Sequence, residues 1–275
     1  AKRCQRLGRG FDSLHSLHES NFVRIHQQKK LEFLFKKLFG FSEPYLLKRR
    51  ATRYFKKNTE KEIRVLDKLV DGSKASIDIG VYRGVYSYFL SDLCKYVYAF
   101  EANPLLYSKL VDGFKYKKNI KIENAAVSSE SGEAELRIPI RDIAASFDNE
   151  EKYKLGTATI HKSNNLENEK FETIKAIKKI SLDEYNFEHE IGFIKIDVEG
   201  HELEILNGAR KFIAQNMPTM LIEIEERHSG IQPHTAINEI EQLGYKCFFI
   251  DENFTLQVTK NSKDLQNNNF IFIPN

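Results

Sequence analysis

The sequence has few cysteines and no long apolar run. Its three cysteines, Cys4, Cys94 and Cys247, are far apart and form no C-x-x-C pair. This argues against a disulfide framework or a cysteine-rich zinc site and favours a reducing compartment. No stretch of 18 apolar residues occurs, which excludes a transmembrane helix. No apolar segment follows the basic N-terminus, so we expect no secretory signal and a cytoplasmic protein.

Charge is unevenly distributed along a chain of otherwise globular composition. The 275 residues are 41% hydrophobic and 29% charged, which is enough apolar material for a sizeable core. Residues 1–70 carry a formal charge of +11, whereas the remainder carries −8. Apolar positions between lysines, and helix-start signals at Ser42 and at residues 59–62, predict helices in the basic part. We therefore predict a basic helical N-terminal extension at residues 1–58 and a separate domain at residues 59–275.

Beyond residue 75, short apolar runs alternate with amphipathic segments. The runs lie at residues 77–79, 96–100, 120–127, 193–198, 220–224, 247–250 and 270–273, and helical spacing occurs at residues 104–116, 201–216 and 234–243. Such alternation predicts an α/β fold with a mostly parallel sheet. The last two runs lack a helix between them, so we predict that they form an antiparallel edge hairpin turning around residues 251–255.

Residues 128–190 interrupt this alternation. Residues 133–139 and 173–180 have strand patterns, and a polar loop at residues 148–170 separates them. A connection of this length inside a compact domain is usually functional or mobile.

A glycine turn follows the first predicted strand. The strand contains Asp78 and ends at Gly80, and Gly84 precedes a helix. Glycine at the carboxyl end of a first strand lets the backbone approach a ligand closely. No Gly-Lys-Ser/Thr follows, so the turn is not a P-loop, and the third glycine of G-x-G-x-x-G is absent. Alone, the pattern fits a ligand contact and a simple tight turn equally well.

Glu101 ends the next predicted strand, 21 residues after Gly80. A carboxylate at that place can accept two hydrogen bonds from a ribose diol. An isolated glutamate at a strand end is more often a solvated charge. Its combination with the glycine turn favours the ribose interpretation.

Residues 194–204 contain the most specific pattern, Ile-Lys-Ile-Asp-Val-Glu-Gly-His-Glu-Leu-Glu. Strand alternation places Lys195, Asp197 and Glu199 on one side. Ionisable groups ending an apolar strand are costly unless they face a cleft. Glu202 and Glu204 have a simpler role, because acidic residues favour the N-terminus of the following helix. We therefore single out Asp197 as a site residue.

These motifs resemble those of FkbM-type methyltransferases, which use S-adenosyl-L-methionine. The matching segments are Asp78-x-Gly80-x-x-x-Gly84, Phe100-Glu101-x-x-Pro104, Asn124-Ala125-Ala126-Val127, Ser181-Leu182-Asp183, residues 194–200, Glu204-x-Leu206-x-Gly208-Ala209, and Pro218 with Leu221-Ile222-Glu223. The resemblance covers about residues 60–275. It implies a Rossmann-like class I methyltransferase fold and O-methylation, frequently of sugar or natural-product hydroxyls. In one departure, Val81-Tyr82 replaces the family's usual Ala-Asn.

The resemblance also implies a cofactor-binding set: Asp78, Gly80, Gly84, Glu101, Ala102, Asn124, Ala125 and Asp197. Gly80 and Gly84 would line the methionine part of the cofactor, and Glu101 would hold its ribose. Asn124 and Ala125 would flank the adenine. Asp197 would lie beside the amino group and the sulfonium.

Methyl transfer would be an in-line displacement in which positioning supplies most of the rate gain. A sugar hydroxyl is weakly acidic, so a base or a metal should assist. Candidate groups are Asp197, Glu199, His201 and Glu223, of which the first three form the predicted catalytic set. A metal held by Asp197 and Glu223 is the less favoured option, and we predict none.

Two other functions compete with this one. A NAD-type dinucleotide enzyme would normally have the third glycine and gives no reason for the Asp-Val-Glu-Gly run. A degenerate, non-catalytic module would bind cofactor or dock on a membrane or nucleic acid. We expect a small-molecule or glycan acceptor with pocket walls from residues 128–180, no nucleic acid, and a homodimer as an option. The basic helices would either lie on an anionic membrane or, as we prefer, pack on the acidic body or on a second subunit.

Overall fold

The computed structural model describes residues 40–140, 153–160, 170–259 and 267–275. Its strands are β1 (Ala75–Ile79), β2 (Tyr96–Phe100), β3 (Ile120–Glu123), β4 (Ala126–Val127), β5 (Gly132–Pro139), β6 (Phe171–Ile180), β7 (Ile191–Ile196), β8 (Thr219–Glu223), β9 (Tyr245–Ile250), β10 (Leu256–Val258) and β11 (Asn269–Pro274). Eight of them form one sheet in the order β10-β9-β11-β8-β7-β1-β2-β3. Neighbours from β8 to β3 are parallel, whereas β11 and β10 pair antiparallel with their neighbours. The predicted mostly parallel sheet with an antiparallel edge is confirmed.

Helices cover both faces of this sheet. They are α1 (Glu43–Lys57), α2 (Leu66–Leu69), α3 (Val85–Leu93), α4 (Pro104–Gly113), α5 (Glu202–Asn207), α6 (Arg210–Asn216), α7 (Glu226–Ser229) and α8 (Pro233–Glu241). One core cluster lies between the sheet and helices α5, α6 and α8, and another lies beneath α1 to α4. Helix α4 begins where the sequence predicts, since the Asn103 side chain accepts a hydrogen bond from the Leu105 N–H at 3.0 Å.

Strands β4, β5 and β6 form a second, smaller sheet in the order β4-β6-β5. The predicted strands on either side of the polar loop are thus confirmed, and they pair with each other antiparallel. Of the loop itself, residues 153–160 are described and include a 3₁₀ turn at Leu155–Thr157. The rest of the predicted loop lies outside the described residues, as do residues 1–39 of the basic segment.

The last two apolar runs pair antiparallel with each other as predicted, in β9 and β11, but the predicted hairpin connection between them is wrong. The turn at residues 251–255 joins β9 to β10, and Asp251 holds it by accepting hydrogen bonds from the N–H groups of Asn253 and Thr255. Strand β11 instead inserts between β8 and β9. Its central residues, Phe270 to Phe272, are fully buried. So apolar a strand is more stable with both edges paired and both faces covered than at a sheet edge.

The helix predicted at residues 201–216 is broken into α5 and α6. A Cβ on Gly208 would lie 2.2 Å from the backbone oxygen of Ser128. The Gly208 carbonyl also accepts hydrogen bonds from the Ser181 hydroxyl at 2.7 Å and the Asp183 N–H at 2.9 Å. Because this carbonyl serves the loop before β7, the helix is interrupted there.

The helix predicted after residues 59–62 is also shorter than expected. A 3₁₀ turn at Lys61–Arg64 precedes the one-turn helix α2, and no side chain caps either element. The predicted capping box is therefore wrong, because the helical turn begins one residue later than Thr59, with Glu60 at the N-cap position. Similarly, α1 begins next to Ser42 with Pro44 in its first turn, but the Ser42 side chain makes no cap hydrogen bond.

Helix α1 packs on the body of the domain, as the preferred interpretation of the basic segment predicts. Leu47 and Ala51 are buried against α3 and α4, and the Arg50 guanidinium donates a 2.8 Å hydrogen bond to the Arg83 carbonyl. Membrane docking stays a prediction. No helix in the described ranges combines the length and apolarity needed to cross a bilayer.

We expect Leu47→Ala to lower the free energy of unfolding by about 2 to 3 kcal/mol, because the Leu47 side chain fills the space between α1, Gly84 and Gly113. Chemical denaturation measures this change. Lys48→Ala, at an exposed neighbouring position on the same helix, should shift it by less than about 0.5 kcal/mol. Equal effects of the two substitutions would show that α1 is not docked.

Candidate active site

Strand register brings the candidate site residues to one edge of the sheet. Ile79 on β1 lies level with Phe100 on β2 and with Ile196 on β7, and β8 continues the same register. The carboxyl ends of these four parallel strands carry Gly80, Glu101, Asp197 and Glu223. All four line a cavity of about 280 Å³ that opens to solvent. This is the place where open α/β sheets bind ligands, since the strand order reverses between β1 and β7.

Gly80 is required by the approach of β1 to β7. Its φ is +78°, and a Cβ there would lie only 1.8 Å from the Asp197 carbonyl oxygen. The Asp197 N–H in turn donates a 3.1 Å hydrogen bond to the Ile79 carbonyl. Gly80 thus lines the cavity and also lets the Asp197 backbone come close to the first strand.

Gly84 lies on the other side of the same turn. A Cβ there would meet the side chains of Leu110, Phe114 and Leu47 at about 3 Å. It is the N-cap of α3 and is not among the described residues that line the cavity. Packing of α3 against α1 and α4 is sufficient to explain a glycine at this position.

Glu101 is buried at the end of β2 and is held by two backbone groups. Its Oε2 accepts a hydrogen bond from the Tyr82 N–H at 2.7 Å, and its Oε1 accepts one from the Asn103 N–H at 2.8 Å. Burial raises the pKa of this carboxyl to about 7, despite these two hydrogen bonds. Each oxygen has a second lone pair, so the fixed carboxylate can still accept hydrogen bonds from a diol.

We expect Glu101→Ala to weaken S-adenosylmethionine binding by about 1 to 3 kcal/mol, the scale of a lost pair of charge-assisted hydrogen bonds. Titration calorimetry measures the affinity. Glu133→Ala, at an exposed position on β5, is the matched control and should leave the affinity unchanged. Wild-type affinity in Glu101→Ala would remove Glu101 from the site.

The other predicted cofactor residues divide between the cavity wall and the layer behind it. Ala102 and Ala125 line the cavity. Asn124 supports it, because its Nδ2 donates hydrogen bonds to the carbonyls of Glu101 at 2.8 Å and Ala102 at 3.1 Å. Asp78 is fully buried behind the wall, where its Oδ2 accepts a 2.5 Å hydrogen bond from the Ser87 hydroxyl. Burial raises the pKa of Asp78 above its usual value.

Asp197 and Glu223 form a carboxyl pair beside a buried lysine. The Lys195 ammonium lies 2.9 Å from Asp197 Oδ2. Burial, followed by the charge of Asp197 and a hydrogen bond with it, raises the pKa of Glu223 well above the usual range. Two carboxyl groups in contact cannot both ionise cheaply. We therefore assign the negative charge to Asp197 and the proton to Glu223 at neutral pH.

Glu199 and His201 also line the cavity. Glu199 has a φ of +57°, which carries the chain away from β7 and toward α5. The His201 Nε2 lies 2.9 Å from the Ser128 hydroxyl, and His201 is largely buried. Glu202 accepts a hydrogen bond from the Gly200 N–H at 3.0 Å, consistent with its predicted role at the start of α5.

Sequence reasoning missed three residues that line the cavity: Tyr54, Glu60 and Tyr86. Glu60 was concealed by the apparent capping box, and the two tyrosines occur at ordinary helical spacing. None could be assigned before the tertiary structure was known.

Tyr82 stands where the resembling family usually has asparagine. It adopts a left-handed backbone with a φ of +52°, and its ring packs on Gly156, where a Cβ would lie 3.2 Å from the ring. Leu155, Gly156 and Thr159 line the cavity from this side. The Tyr82 side chain thus connects the glycine turn to residues 153–160, which form part of the cavity wall.

The lining suits S-adenosylmethionine in its chemistry. Phe100, Ala125 and Val127 provide an apolar surface for the adenine ring. Glu101, which is placed to bind the ribose, lies next to this surface. Asp197 and Glu199 provide negative charge for a sulfonium. In the described part of the chain, no group of three or more His, Cys, Asp or Glu side chains is arranged to hold a metal.

The sheet order and the lining of the cavity fit the class I methyltransferase fold and the S-adenosylmethionine site expected from the sequence. The methyltransferase FkbM domain matches residues 78–247, more than half of the chain. The chain therefore belongs to the FkbM methyltransferase family, and S-adenosylmethionine is its cofactor.

Solved structures that match this chain include the following two. The FkbM methyltransferase of Methylobacillus flagellatus KT is 16% identical with a TM-score of 0.46, and the match covers 74% of this chain and 45% of that one. This chain therefore spans less than half the length of that protein. The protein SMU.1697c of Streptococcus mutans, in complex with SAH, is 13% identical with a TM-score of 0.41, and the match covers 77% of this chain and 93% of that one. No curated protein matches the chain.

Proposed function

We propose that this protein transfers the methyl group of S-adenosylmethionine to a hydroxyl oxygen of a sugar or glycan-like acceptor. The observation that carries the proposal is the pair of Asp197 and Glu223. These carboxyl groups end two adjacent strands and line the cofactor cavity. A base that can take a hydroxyl proton is what O-methylation needs from the protein.

The proposed reaction breaks the bond between sulfur and the methyl carbon, forms a bond between oxygen and that carbon, and releases a proton. S-adenosylmethionine supplies the electrophilic methyl carbon. Asp197, kept ionised by Lys195 at 2.9 Å, accepts the proton of the acceptor hydroxyl. Glu223 stays protonated and donates a hydrogen bond to Asp197, which orients the carboxylate.

The charge of the lining supports a neutral acceptor. Asp197 and Glu199 give the lining beside Lys195 its negative charge, and Glu60 and the protonated Glu223 add further carboxyl groups. Carboxyl groups pair well with hydroxyls, whereas they repel phosphate and carboxylate groups across a cavity of low dielectric constant. Sugars without acidic substituents therefore fit this lining better than phosphorylated or uronic ones.

A panel of neutral sugars and glycans, each paired with a phosphorylated or carboxylated analogue, tests the proposal. The label of methyl-labelled S-adenosylmethionine is followed, and mass spectrometry locates it. We expect the label on a hydroxyl oxygen of neutral panel members. Label on nitrogen, or on the anionic analogues alone, would contradict the proposal. Cofactor binding without transfer to any member would favour the non-catalytic module.

A further inference from the structure

Lys195 is the next-to-last residue of β7 and lines the cavity. Its side chain is only 6% exposed. The ammonium lies 2.9 Å from Asp197 Oδ2, 4.0 Å from Asp78 Oδ1 and 4.7 Å from the centroid of the Tyr86 ring. A buried cation of this kind is costly unless its charge is compensated. Several carboxyl groups surround the Lys195 ammonium, more than are needed to balance its single charge.

More than one carboxyl group faces this single ammonium. The titratable groups around it are Asp78 on β1, Glu60 before the 3₁₀ turn, Tyr86 on α3, Asp197 and Glu199 after β7, and Glu223 on β8. Burial alone would lower the pKa of Lys195, but the charges of Asp197, Asp78 and Glu60 outweigh burial and raise it. The lysine is therefore charged throughout the physiological range, and the carboxyl groups compete for its charge.

Geometry decides this competition. Asp197 makes the only direct hydrogen bond that the described structure gives to the Lys195 ammonium, and the Asp197 side chain is 35% exposed toward the cavity. Asp78 is farther away and has no exposed surface. Glu223 forms no ion pair with the ammonium in the described structure. Its carboxyl group is hydrogen-bonded to Asp197 instead. The carboxylate that is best paired is also the one that faces the ligand.

We propose that Lys195 is a positioning residue that holds the negative charge of the cavity on Asp197, facing the place of the cofactor's sulfonium, and away from Asp78 and Glu223. The consequence is discrimination by charge. S-adenosylmethionine carries the sulfonium and S-adenosylhomocysteine does not, so a fixed charge on Asp197 favours substrate over product. This proposal depends on the cofactor alone, so its test needs no acceptor.

Calorimetric affinities for S-adenosylmethionine and S-adenosylhomocysteine, measured from about pH 5.5 to about pH 8.5, test the proposal. Their ratio isolates the effect of the sulfonium charge, since the two ligands otherwise share the same groups. In the wild type we expect a ratio that is constant above about pH 6. Lys195→Met removes the cation, which raises the pKa of Asp197, so the preference for S-adenosylmethionine should fall as the pH drops below about 7.

Conservative and compensated variants provide the controls. Lys195→Arg keeps the charge and should retain the flat ratio. Lys195→Met combined with Asp78→Asn also replaces the buried carboxyl group 4.0 Å from the ammonium, so it should fold even if Lys195→Met alone does not, and it should show the same pH dependence. The proposal would be overturned if the affinity ratio of the methionine variants depended on pH as it does in the wild type. It would also be overturned if the ratio of Lys195→Arg fell at low pH as in Lys195→Met. Loss of folding in both methionine variants would also overturn it, because Lys195 would then hold the fold rather than the charge of Asp197.

Discussion

Asp197→Asn is expected to reduce turnover by about 10²- to 10⁴-fold, the usual contribution of a positioned base. Asparagine keeps the shape of the side chain but has neither its charge nor its basicity. Cofactor affinity should fall by about tenfold or less, since the remaining contacts are unchanged. Single-turnover rates with saturating cofactor, together with calorimetry, separate the two effects. Asp92→Asn, at an exposed position on α3, should leave both quantities at wild-type values.

The relative size of the two losses identifies the role of Asp197. Equal losses in turnover and affinity would make it a residue that only positions the cofactor. Turnover at the wild-type level would remove Asp197 from the reacting centre. In that case Glu199 and His201, which also line the cavity, would be the next bases to test.

Gly80→Ala is expected to lower the free energy of unfolding by about 3 kcal/mol or more and to abolish cofactor binding. The added Cβ would lie 1.8 Å from the Asp197 carbonyl oxygen. Relief of that clash must separate β1 from the end of β7, which is where the cavity is formed. Chemical denaturation and calorimetry measure the two effects.

Gly230→Ala is the matched control for this substitution. Gly230 has a similar φ of +72°, but nothing lies within 4 Å of the position of its Cβ. It should therefore show the cost of the left-handed backbone alone, about 1 to 2 kcal/mol. Equal destabilisation by the two substitutions would show that the close approach of the strands is not what requires glycine at Gly80.

The parts of the structure set by local pattern could be predicted from the sequence. Apolar runs of strand length predicted the parallel strands, and Asn103 as an N-cap predicted the start of α4. Gly80, Glu101 and Asp197 were recognisable because each immediately follows a strand. Since parallel strands end at a common edge, the positions of these residues in the sequence already implied that they meet.

The parts set by distant contacts could not be predicted. Strand β11 lies between β8 and β9 because a segment buried on both faces needs two neighbours, and no local signal specifies which ones. The break at Gly208 depends on the Ser128 backbone, 80 residues earlier in the chain. Glu60 has no distinguishing local pattern, and only its neighbours Lys195 and Tyr86 in the folded structure mark it as a site residue.

The structure of this protein in complex with S-adenosylhomocysteine tests the central claim most directly. We predict that the ribose hydroxyls lie within hydrogen-bond distance of the Glu101 carboxylate. The sulfur should face Asp197, and the adenine should lie against Ala125. A ligand whose ribose lies away from Glu101, or whose sulfur is separated from Asp197 by the width of the cavity, would contradict this assignment of the site.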